Sequence, residues 1–161
     1  TALLSADEAV DVARRHRMCA AGVAGLNVAF AADRRPIYAQ WLVIGAEGEA
    51  LHRFSKGLMP RLGPGEALVE GAYTFAAFRR LGAMGDGMRQ LLQRAADAGA
   101  ERCLTYVAPD NVPSLRGCAN VGFGLDHVRV DRRRLGRRSI DRRVATAAEA
   151  ERWRAAVAPS S

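Results

Sequence analysis

Phe78-Arg79-Arg80-Leu81-Gly82-Ala83-Met84-Gly85-Asp86-Gly87-Met88 puts two arginines and three glycines at the mouth of an amphipathic helix. A helix start exposes backbone N–H groups without partners and carries the positive end of the dipole, so it accepts anions. Gly82, Gly85 and Gly87 would let a phosphate approach the backbone closely. The plain alternative is a glycine-rich helix entry with solvated arginines. Further on, Asp110-Asn111-Val112-Pro113-Ser114 leads to Val121-Gly122-Phe123.

Around this stretch the pattern reads as alternating strands and helices. Residues 66–74 predict a strand before the loop, and 87–98 predict a helix with Met88, Leu91, Leu92 and Ala95 on its apolar face and Gly99 as its stop. A strand over 102–108 and a short helix over 113–120 follow. Upstream, Ser5 and Glu8 have the form of a capping box, so a helix should run to about residue 17 with Ala9, Val12, Ala13 and His16 on one face. Residues 26–31 and 37–44 predict strands, joined by a turn at 33–36, and 49–57 a short helix with Leu51 and Phe54 inward. Two strands over 123–134 and 137–145 meet at Leu135-Gly136, and a helix covers 147–157. Strands and helices in this order argue for a mixed α/β sheet.

The order of motifs resembles the GNAT superfamily, the acyl-CoA N-acyltransferases. The family's pyrophosphate loop reads Q/R-x-x-G-x-G/A; Arg79 and Gly82 match it, and Met84 stands at the last position. A register one residue later ends on Gly85 but loses the middle glycine; the first is preferred because it puts Met88, Leu91 and Leu92 where the family's helix is apolar. The family's Asn-led helix ending in Gly-Phe matches Asn111 through Phe123, and the match covers about residues 64–130. The resemblance implies an α/β fold with a mixed, splayed central sheet flanked by helices. It implies one domain over 1–161, with an acceptor side over about 1–60, an acyl-CoA-binding core over about 64–130 and an Arg-rich hairpin over about 123–145. The cofactor would lie in the V between the strands at 66–74 and 102–108.

The resemblance also implies roles. Backbone N–H groups of Leu81, Gly82, Ala83, Met84 and Gly85 would hold the pyrophosphate of coenzyme A, with Arg79 or Arg80 adding charge. Tyr73 or Thr74 would offer a backbone N–H to the thioester carbonyl. Glu70 is the candidate base or water-positioner that takes a proton from the amine, and Glu66 shares its strand face. Against these stands the reading of an edge glutamate facing water. Cys118 occupies the place of the family's acidic Tyr; it either protonates the departing thiolate or is a small buried apolar residue. Asn111 and Ser114 are candidate contacts to the rest of the cofactor, or caps of their helix. The expected reaction passes an acetyl or other acyl group from coenzyme A directly to an amine of unknown identity. The other reading is a non-catalytic acyl-CoA-binding or protein-interaction module of the same fold.

Composition bounds the rest. In 161 residues, 49% hydrophobic and 25% charged content reads as an ordinary globular chain. No apolar run approaches the ~20 residues of a membrane span, and no secretory signal is visible, so a cytoplasmic protein without a membrane partner is expected. Cys19, Cys103 and Cys118 are too widely spaced for a zinc site, and His16, His52 and His127 are scattered, so no metal is expected. The net charge of +7 concentrates in 129–143, which holds eight arginines and two aspartates. That segment reads as a solvated strand pair, as a lining for an acidic acceptor, or as a phosphate-binding surface. Nucleic acid is not the expected partner, because no aromatics interleave the arginines. Homodimers are common in the family, and a homodimer is compatible with this sequence.

Overall fold

The apolar run after Pro36 builds the middle of a four-stranded sheet. The computed structural model describes residues 6–45, 47–134 and 137–158, so Ser5 of the expected capping box and the Leu135-Gly136 turn lie outside the described residues. Two compact units divide the chain, residues 1–106 and 107–161, and each is described by itself.

In the first unit α1 (Ala6–Ala20) precedes β1 (Leu26–Phe30) and β2 (Pro36–Ile44). Then come α2 (Glu47–Phe54), β3 (Glu66–Thr74), a single 3-10 turn at Ala76–Phe78, α3 (Ala83–Asp97) and β4 (Arg102–Leu104). The strand order is β1-β2-β3-β4; the first two pairings are antiparallel and β3–β4 is parallel. Trp41, Val43 and Leu68 of the sheet pack with Met18, Val23 and Leu51 in one buried cluster. Each such side chain contributes roughly 1.5–3 kcal/mol when fully buried. On α3, Met88, Leu91 and Ala95 are buried, and the helix packs on β2 and β3.

Several elements depart from the sequence reading. The inner face of α1 is not Ala9, Val12, Ala13 and His16, which are all exposed. It is Asp11, Arg15 and Met18, with Arg14 beside them. Arg15 is 6% exposed. Its Nε lies 2.5 Å from Asp11 Oδ2, and its Nη2 donates to the Gly71 carbonyl at 2.5 Å. A paired, hydrogen-bonded arginine can be buried, but hydrophobic periodicity does not register it. Helix α3 begins at Ala83, four residues before the expected start, because Gly82 takes a left-handed φ of 82° and turns the chain into the helix. Helix α2 runs over 47–54 rather than 49–57. Strand β4 ends at Leu104 rather than at 108, since its ladder to β3 stops at the Leu68–Leu104 pair.

In the second unit α4 (Val112–Ala119) packs against α5 (Ala147–Val157), and Arg116 Nε donates to the Ala156 carbonyl at 2.9 Å. Strands β5 (His127–Arg134) and β6 (Arg137–Val144) pair as an antiparallel ribbon, starting four residues later than expected. The pairing sets Arg129 opposite Arg142, while Arg132 reaches Asp141 at 2.8 Å. Thr146 and Glu149 form a capping box on α5, and Arg143 grips the same carboxylate with two 2.8 Å bonds.

Candidate functional site

The site is built where β3 and β4 part. Ladder pairs join Glu66–Arg102, Ala67–Cys103 and Leu68–Leu104 and then cease, although β3 continues to Thr74. The far half of β3 therefore has β2 on one edge and no ladder on the other. Phe75 N–H donates to the Ile37 carbonyl on the β2 side at 3.0 Å. Successive strand residues point their amides to opposite edges, so the Thr74 N–H and carbonyl face the open edge while Tyr73 faces β2. Arg79 folds back onto that edge. Its Nε donates to the Thr74 carbonyl at 3.2 Å, and its guanidinium lies 5.8 Å from the Tyr73 ring centroid.

The loop from Arg79 to Gly82 alternates its backbone handedness, with φ of 66° at Arg80 and 82° at Gly82. This alternation followed by a helix start turns consecutive amides toward one side. The first N–H groups of α3, on Ala83, Met84 and Gly85, precede the first helical bond, which runs from Asp86 N–H to the Gly82 carbonyl at 3.1 Å. Arg80 and Leu81 are exposed. The three glycines are not equivalent. Gly82 supplies the left-handed turn, whereas a Cβ on Gly85 would meet only Arg89 at 3.6 Å. Gly87 serves packing: a Cβ there would stand 2.5 Å from the Tyr38 ring. Asp86, whose carboxylate pairs with Arg89 at 2.6 Å, sits in the same first turn.

Glu70 lies on the α1 side of β3, opposite Trp41 in the ladder. It is 9% exposed, and Arg14 Nη2 donates to its Oε1 at 2.7 Å. It is therefore a paired, enclosed carboxylate rather than an edge side chain facing water. Glu66 is occupied elsewhere: its Oε2 accepts from Gly63 N–H at 3.0 Å and its Oε1 lies 3.6 Å from Arg102. Immediately after Glu70, Gly71 has a φ of 65°, and Gly71 with Ala72 opposes the single residue Gln40. This is a bulge, a device that re-aims the end of a strand. Sequence reading missed the bulge and Arg15; a glycine inside an otherwise strand-like run was the signal for the first.

In the second unit Asn111 caps α4, its Oδ1 accepting from Ser114 N–H at 3.3 Å. Cys118 is 4% exposed, and burial pushes its thiol up to about 11. Burial likewise pushes the Cys103 thiol up to about 11, against a smaller opposing pull from a backbone bond to Val69. His127 Nδ1 lies 2.8 Å from Asp126. Among the described residues no group of three or more His, Cys, Asp or Glu could hold a metal ion, and no helix is long and apolar enough to cross a membrane.

A solved structure from Agrobacterium tumefaciens str. C58, provisionally named an acetyltransferase, aligns over 83% of both chains with a TM-score of 0.50 and 19% identity. The fold is that of the GNAT-like acetyltransferases. The mixed four-stranded sheet, antiparallel at β1–β2–β3 and parallel at β3–β4, agrees with the mixed α/β arrangement that the motif order implied. The aminoglycoside antibiotic 6′-N-acetyltransferase AAC(6′)-Ig from Acinetobacter haemolyticus aligns over 72% of this chain and 73% of its own, with a TM-score of 0.47 and 21% identity. No family model matches the sequence, and no curated protein matches it.

Proposed function

We propose that this chain transfers an acyl group, acetyl by default, from coenzyme A to an amine by direct attack. The observation that carries the reading is the unladdered edge of β3 beyond Leu68 together with a glycine-turned helix start, where the Ala83, Met84 and Gly85 amides lie outside the helical ladder. These groups fit a diphosphate, which needs convergent N–H donors and positive potential. Arg80 adds charge at the loop, and Arg79 holds the strand end. The Thr74 N–H is the donor for the thioester oxygen, where negative charge develops as the amine adds. An acyl-CoA supplies an activated carbonyl and a thiolate leaving group. Glu70 takes one proton from the ammonium; the freed lone pair forms the C–N bond as the C–S bond breaks. The nitrogen's second proton balances the departing thiolate. A Cys118 thiol raised to about 11 is a weaker acid than the coenzyme A thiol that would form on protonating the departing thiolate, and it is buried, so we assign Cys118 to packing. Assigning Asn111 and Ser114 to the cofactor rests on the motif resemblance alone.

Calorimetric titration with coenzyme A tests the reading. The wild type should bind, while Gly82→Asp, which puts a side chain and a negative charge at the left-handed turn, should lose about 10-fold or more, as expected for one or two charge-assisted hydrogen bonds. Affinity unchanged from the wild type in both Gly82→Asp and Arg79→Ala would remove the phosphate-loop assignment. The second reading is a non-catalytic acyl-CoA-binding module. The Arg14–Glu70 pair favours it, because it occupies the candidate base. Tight coenzyme A binding, with no free thiol released from acetyl-CoA in the presence of any amine of a panel, would support that module.

A further inference from the structure

Two arginines on the inner face of α1 converge on the bulge that follows Glu70. Asp11 and the Gly71 carbonyl fix Arg15 through its Nε and Nη2, yet its Nη1 is buried with no hydrogen-bond partner among the described residues. The same guanidinium lies 5.2 Å from the Trp41 ring centroid and 5.7 Å from that of Tyr73. Arg14 uses Nη2 for Glu70 and directs Nη1 to the bulge. A methyl group placed on Gly71 would be 3.3 Å from Arg14 Nη1 and 3.9 Å from Arg15 Nη1. The two nitrogens thus overhang one residue that has no side chain. A buried cationic N–H left unpaired is costly, and native structures rarely keep one without a use. Guanidinium groups pair best with a carboxylate or phosphate.

The charges on this face are balanced. Arg15 holds Asp11 and Arg14 holds Glu70, so neither carboxylate is spare for a polycationic acceptor. A polycation would add positive charge beside two arginines. A zwitterion adds none, and it offers each member of the Arg14–Glu70 pair a replacement partner. Arg14, with its side chain 38% exposed, is the member able to swing.

We infer that the acceptor is a small amine that also bears a carboxylate, an amino acid or close analogue. Its carboxylate takes the two Nη1 positions over Gly71, and its amino group replaces Arg14 on Glu70. The inference deepens the acyl-transfer reading and rests on it.

Its test uses the whole chain with acetyl-CoA. Free amino acids are compared with the matching amino acid amides and with spermidine, and product is followed by mass spectrometry. Coenzyme A affinity is measured in parallel by calorimetry. The expected result is acetylation of carboxylate-bearing amines, with kcat/KM roughly 10- to 100-fold lower for the amides, the loss from one charge-assisted pair. Arg14→Gln should raise KM for the amino acid by a similar factor, erase the preference over the amide, and leave coenzyme A affinity within twofold. If coenzyme A binds but amides or spermidine are used as well as the amino acids, or no carboxylate-bearing amine is used, the inference fails while the cofactor site stands. If coenzyme A does not bind, the acyl-transfer reading fails first and takes the inference with it.

Discussion

Gly85 and Gly87 sit two residues apart on α3, and alanine should affect them in opposite directions. In a helix, replacing glycine by alanine gains about 0.8–1.0 kcal/mol from backbone restriction alone. At Gly85 the new Cβ meets only the end of Arg89 at 3.6 Å, an ordinary contact with a flexible side chain. At Gly87 it meets Tyr38 Cδ1 at 2.5 Å and Cε1 at 2.6 Å. The Tyr38 ring cannot simply move away: it is 3% exposed, and its hydroxyl donates to Gln40 Oε1 at 2.6 Å. Restoring an ordinary contact would displace the ring by about 1 Å, an overpacking cost of roughly 1–3 kcal/mol. Breaking the Tyr38–Gln40 bond adds about 1 kcal/mol. Gly87→Ala should therefore lose roughly 1–3 kcal/mol net, while Gly85→Ala gains a few tenths to 1 kcal/mol. Urea denaturation followed by Trp41 fluorescence, in a Trp153→Phe background so that only the first unit reports, should separate the midpoints by about 1 M. In a Tyr38→Ala background the cost at Gly87 should vanish, a coupling that isolates the clash. A Gly87→Ala midpoint at or above that of Gly85→Ala would refute the reasoning.

Asp11→Ala should destabilise the first unit by about 3 kcal/mol, because it leaves Arg15 buried without its anion; Asp11→Leu with Arg15→Met should recover most of the loss, as urea midpoints would report. Cys19 is exposed, whereas Cys103 and Cys118 are held near 11, so iodoacetamide at pH 8 should label Cys19 alone in the native protein, as read by peptide mass spectrometry. Their raised pKa values mean that the stability tied to the neutral thiols is intact below about 9 and is lost as pH rises from there toward 11. The bond from Arg143, followed by the Thr146 cap, holds the Glu149 carboxyl well below the usual carboxylate range. A depressed pKa contributes stability above the ordinary value of 4.5 that is lost as pH falls; an NMR pH titration should show the Glu149 carboxyl moving back up in Arg143→Ala.

Local signals were sufficient for several of the elements. Residues 66–74, read as a strand, form β3 at those bounds, and Gly99 marks the end of α3. Glu70 was legible as a candidate because the family resemblance implies a base on this strand. Its partner was not: Arg14 lies 56 residues away, and nothing in either neighbourhood announces the pair. The early start of α3 was hidden for a related reason. Glycines at 85 and 87 lower helix propensity, and only the packing of Tyr38 against Gly87 explains why one of them is there.

The sequence by itself determined the alternating elements, the turn glycines and the motif order, because these depend on side-chain period and backbone freedom within a dozen residues. The tertiary structure decided which face of α1 turns inward, where β3 and β4 separate, and that Gly71 bulges beneath two guanidinium groups. Those outcomes depend on charges and polar atoms finding partners across long loops. A buried arginine is stable only when a distant carboxylate and carbonyl meet it, and that meeting exists only in the folded chain.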